Sequence, residues 1–207
     1  MDVKKFIVPG IIILLAAGII TGVIVKDKMS KNFDCPYIST VESDIKEMGF
    51  DVGRLDFKGL EKLGVDSDFE RIWAKYNDKE KNAERMISIS CSKYDNAEDA
   101  QKAFDNAFSS AYFTKEKSKK KGDVKIYNNP EKHKGYILYN VTLESDGMLD
   151  NYALSTTNED DMFNPKSKFL YGGIYLDGNR IVYYTTSDGA NIGKIKAKLE
   201  GHKLPTP

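Results

Sequence analysis

The chain has 207 residues, 31 Lys plus Arg against 31 Asp plus Glu, 41% hydrophobic residues and a mean hydropathy of −0.48. These values fit one ordinary globular domain with a short appendage and exclude a large multidomain enzyme, while 12 Tyr and 10 Phe supply the bulk for a packed core. The neutral total hides an asymmetry: residues 1–25 carry only Asp2, Lys4 and Lys5, leaving 29 basic and 30 acidic residues downstream, a balance that excludes a globally basic nucleic-acid binder.

A short tail, residues 1–5, precedes Phe6–Val25, which reads FIVPGIIILLAAGIITGVIV without one charge. Twenty such residues at about 1.5 Å each match the roughly 30 Å hydrocarbon layer, so the segment is expected to span a membrane and to make the lipid bilayer its first partner. Pro9 sits where a missing N–H costs little, and Gly18 and Gly22 have the small-residue spacing of helix–helix contacts in membranes. The run is longer than the roughly 7–15 residues of a cleavable signal core. Asn32, Phe33 and Asp34 before Cys35 do not form a lipidation site. An uncleaved signal anchor is therefore expected. Lys4 and Lys5 on one side are balanced by Lys26, Lys28 and Lys31 on the other, and the short leading tail favours an inside N-terminus with the rest of a single-pass membrane protein outside.

Residues 26–38 read as a juxtamembrane linker, 39–201 as a single α+β extracytoplasmic domain and 202–207 as a C-terminal tail. Ser39-Thr40-Val41-Glu42 has the pattern of a capping box, with Ile45 and Met48 at helical spacing and Gly49 as the stop. Residues 50–68, with Gly53, Gly59 and Gly64, read as irregular. Ile72, Ala74 and Tyr76, then Ile87, Ile89 and Cys91 alternating with serines, predict two hairpin strands. Asp95 to Ala111, capped by Asp95 and Glu98, places Ala97, Ala100, Phe104, Ala107, Phe108 and Ala111 on one helical stripe. A basic loop through Lys115, Lys117, Lys119, Lys120 and Lys121 follows, then a short strand at Val124–Tyr127 and a stronger one at Tyr136–Leu143. After an acidic interval from Glu144 to Lys168, residues 169–176 and 180–186 flank Asp177-Gly178-Asn179, a hairpin signal. Ile192, Ile195 and Leu199 define a last helix, opened by Asp188 and stopped by Gly201. The order predicts an antiparallel sheet with two or three helices packed on one face.

Chemistry-bearing patterns are few. His133 and His202 have no second ligand at metal spacing and read as surface residues. Ser-x-x-Lys occurs at Ser43–Lys46, Ser90–Lys93 and Ser118–Lys121 without the companion Lys-Thr-Gly of penicillin-binding enzymes. Gly189 to Lys194 is one residue short of a phosphate loop and reads as a helix start. The acidic groups at Asp146–Asp150 and Glu159–Asp161 lack the calcium-loop pattern. No catalytic residue, cofactor or metal site is assigned. Three contacts remain as expectations: a Cys35–Cys91 disulfide in an oxidising compartment, a Gly18/Gly22 helix contact, and a polyanion contact through Lys115, Lys117, Lys119, Lys120 and Lys121. Tyr171, Tyr175, Tyr183 and Tyr184 would line a binding face or pack beneath a helix.

The charged N-terminus, single apolar segment, lysine-rich α+β body, the helix opening at Asp95-Asn96-Ala97-Glu98-Asp99-Ala100 and the final Asp-Gly-Asn hairpin resemble uncharacterised single-pass membrane-anchored extracytoplasmic proteins of Gram-positive-type bacteria. The resemblance implies tethering and carries no site residues. The function expected is a membrane-anchored module that binds a protein, peptide or envelope component. A cell-envelope hydrolase or transferase, or a subunit of a membrane complex, is the alternative.

Overall fold

The computed structural model describes residues 33–57, 68–77, 86–117, 120–143 and 169–207. The chain divides into two units, Met1–Phe33 and Asp34–Pro207. The expected span Phe6–Val25, with Gly18 and Gly22, lies outside the described residues; among the described residues no helix is long and apolar enough to cross a membrane.

The second unit is α+β. Its elements run α1 (Ile38–Glu47), β1 (Gly53–Phe57), β2 (Phe69–Asn77), β3 (Met86–Tyr94), α2 (Ala97–Lys117), β4 (Lys120–Asn129), β5 (Lys134–Leu143), β6 (Phe169–Asp177), β7 (Arg180–Thr186) and α3 (Ile192–Gly201). The strands form one antiparallel sheet in the order β1-β2-β3-β7-β6-β5-β4.

Register decides which side chains share a face, because successive residues of a strand point to opposite sides. Ile89 pairs with Tyr184 and Cys91 with Val182, whereas Ser90 pairs with Tyr183 and Ser92 with Ile181. The Tyr184 hydroxyl meets Asp44 of α1, which also binds Lys198 of α3. Ile181, Tyr183, Ile174 and Ile137 instead join Ala100, Ala103, Phe104 and Ala107 of α2 in one buried cluster. The helices therefore cover both faces, α1 and α3 on one and α2 on the other, which corrects the expectation of one covered face. The serines of β3 misled the pattern: they alternate like solvent-facing residues, yet they are small and neutral enough to be buried at little desolvation cost.

Several boundaries also move. α1 begins at Ile38 with Tyr37 as an extended N-cap that makes no side-chain cap bond, so the expected capping box is not formed. Glu42 binds Lys46 and Arg54 instead. Gly49, in the left-handed region, closes α1 as expected, its N–H and that of Phe50 reaching back to Lys46 O and Ile45 O. β1 was read as irregular: it is a short edge strand whose residues do not alternate hydrophobically, and backbone pairing with β2 defines it. The cap of α2 falls one residue later than expected, with Asn96 Oδ1 accepting from Asp99 N (2.9 Å) and Asn96 Nδ2 donating back to Asp99 (2.8 Å).

The presumed basic loop is also corrected. Lys115 and Lys117 belong to α2, Lys120 and Lys121 open β4, and Lys119 lies outside the described residues. Residues 109–117 contain no Gly or Pro to stop the helix, and lysines suit its C-terminal end. The β6–β7 hairpin turns on Gly178-Asn179, with φ +59° at Gly178 alone, the geometry of a type II′ turn. Asp188 caps a 3-10 turn before α3 as expected, its Oδ1 accepting from Ala190 N. Gly201 does not stop α3. Lys203 does, in the left-handed conformation, with Leu204 N bonded to Leu199 O (2.9 Å).

Candidate functional site

The sheet face beneath α2 changes character along its length. Toward the start of α2 it is apolar, where Phe104 and its alanines meet Leu176, Ile181 and Ile174. Farther along it becomes a row of small and hydroxyl-bearing residues. Ser90 faces Tyr183; one step on, Ser88 faces Thr185, Thr185 faces Gly172, and Gly172 faces Tyr139. Gly172, at φ +131°, contributes no side chain, and a Cβ there would lie 2.0 Å from the Tyr184 carbonyl oxygen. At its middle the row is shut from solvent, with Ser90 1% and Tyr183 2% exposed. Neither the Ser90 hydroxyl nor the Tyr183 hydroxyl has a hydrogen-bond partner. An unsatisfied buried hydroxyl costs about 1–3 kcal/mol. Toward β2 the row continues to Trp73 beside Ser90 and Lys75 beside Ser88, and Trp73 is 36% exposed, so the row reaches solvent there. Arg71 lies on the same strand and face, beside Ser92, and is almost buried. Burial pushes the Tyr183 phenol well above its ordinary range, and the Arg71 charge opposes that shift.

On the opposite face a charged network ties three elements together. Asp44 Oδ1 accepts from Lys198 Nζ (2.8 Å), while Asp44 Oδ2 accepts from Tyr184 and lies 2.5 Å from His202 Nε2. Lys198 also binds Glu47. Burial alone would raise the Asp44 carboxyl, but the hydrogen bonds from His202, Lys198 and Tyr184 outweigh it and bring it down to about 2. The Tyr184 phenol moves upward, first through burial and then through its bond to Asp44. Both Asp44 oxygens are engaged, so the group works as a cross-link between α1, β7 and α3. His202, read as a surface residue, belongs to this buried network, and sequence spacing held no signal for it because its partners lie 158 and 18 residues away.

A second clasp holds the start of the unit to the β6–β7 hairpin. Cys35 N donates to Asp177 Oδ2 (3.3 Å), Arg180 donates to Cys35 O and lies 4.2 Å over the Tyr37 ring, and Lys134 bridges Asp34 and Asp177. Cys35 and Cys91 are both buried free thiols. The Cys91 thiol points to Pro36 O at 3.9 Å. Burial pushes Cys91 up to about 12, and burial followed by the nearby Asp177 charge raises Cys35 further than Arg180 lowers it.

The remaining expectations scatter. His133 occupies the left-handed turn between β4 and β5, 3.9 Å from Glu98, and is half-buried. Ser43 donates to Ser39 O while Lys46 binds Glu42, so that Ser-x-x-Lys pair does not converge. Ser118 and both acidic loops lie outside the described residues. Tyr171, Tyr175, Tyr183 and Tyr184 are all buried. Among the described residues no group of three or more His, Cys, Asp or Glu could hold a metal ion. No protein-family model, curated protein or solved structure matches the chain.

Proposed function

We propose that the chain is a membrane-tethered binding module, held by Phe6–Val25 with residues 34–207 outside the membrane, and that it takes its ligand on the sheet face beneath α2. The pair of buried, unpartnered hydroxyls at Ser90 and Tyr183 carries the reading: groups with full hydrogen-bonding capacity, kept from water, are what a binding site needs and what a stable core avoids. The test of the tether and its direction is protease treatment of intact cells producing the full chain with a C-terminal epitope tag. Loss of the tag in intact cells supports export; protection until the membrane is opened sinks it.

A cell-envelope hydrolase is the second reading, favoured by the Asp44, His202 and Tyr184 cluster, whose residue types suit proton transfer. Serine- or histidine-directed reagents that label one site stoichiometrically would favour the enzyme over the module.

A further inference from the structure

We draw no further inference here: the strongest candidate, the exposed Trp73 indole that lies against Gly53 at the β1–β2 end of the sheet, carries nothing because nothing in the structure shows what covers it.

Discussion

Replacing Asp44 by Asn isolates the charge of the network that joins α1, β7 and α3, because asparagine keeps the shape and one acceptor oxygen. In the parent chain three donors converge on a buried carboxylate, from Lys198, Tyr184 and His202. Hydrogen bonds to an ionised group contribute about 1.5–3 kcal/mol each and neutral ones about 0.5–1.5, so neutralising the acceptor removes about 1 kcal/mol per bond. The amide NH2 must also face one of those donors. Against this, the Lys198 and His202 side chains remain 22% and 17% exposed, and solvent screens their share. The expected loss is about 2–3 kcal/mol, or roughly 4–10 °C in Tm for a domain of this size. Urea and thermal unfolding of the full chain in detergent, followed by far-ultraviolet circular dichroism, measures it. Adding Tyr184→Phe should cost less in the Asp44→Asn background than in the parent, because the two groups share one bond.

The pH dependence of the same variant supplies an independent check. The Asp44 carboxyl titrates near 2 in the folded chain and near the ordinary value of about 3.9 when unfolded, so between those values the unfolded state holds more protons. Its contribution is present above about pH 4 and is lost as the pH falls toward about 2. The stability curves of parent and variant should therefore converge on acidification. A loss below about 0.5 kcal/mol at neutral pH, or curves that stay parallel down to pH 2, would refute the electrostatic account of the network.

Three further outcomes are expected. Cys35 and Cys91, buried and raised in pKa, should resist a thiol-specific chromogenic reagent at pH 8 in the folded chain and both react in guanidinium; rapid labelling of either before unfolding contradicts the burial. Gly172→Ala combines a left-handed backbone with a Cβ set 2.0 Å from the Tyr184 carbonyl, and should lower stability by about 2–5 kcal/mol by urea denaturation. Lys203→Gly relieves the left-handed strain at φ +56° and should raise the urea midpoint by an amount equivalent to about 0.5 kcal/mol with an unchanged slope.

The strands and helices with strong periodicity were legible in the sequence. Ile87, Ile89 and Cys91 marked β3, the alanine and phenylalanine stripe marked α2, and Asp177-Gly178-Asn179 marked the β6–β7 hairpin. β1 was not legible because an edge strand of five residues is defined by pairing rather than by pattern. The second covered face was lost for a subtler reason. Serine reads as solvent-facing in an alternating strand and still buries without a charge to neutralise, so Ser88, Ser90 and Ser92 hid both α2's position and the candidate site. The Asp44 and His202 network was invisible because its members lie 158 residues apart and no local spacing encodes a tertiary pair.

Tyr183 and Tyr184 show how the two halves of the proposed role share one strand. They are consecutive on β7, so the pleat sends them to opposite faces. Tyr184 closes the network with Asp44, on the side where Cys91 meets Pro36 and where the Tyr175 hydroxyl binds Pro205 O (2.6 Å). Both ends of the second unit are thus fastened to the α1 and α3 face. Tyr183 faces α2 beside Ser90, with its hydroxyl unspent. Anchoring contacts are saturated on one face while hydrogen-bonding capacity is left open on the other. A partition of that kind lets the chain be held firmly at its ends without altering the row that would meet a ligand.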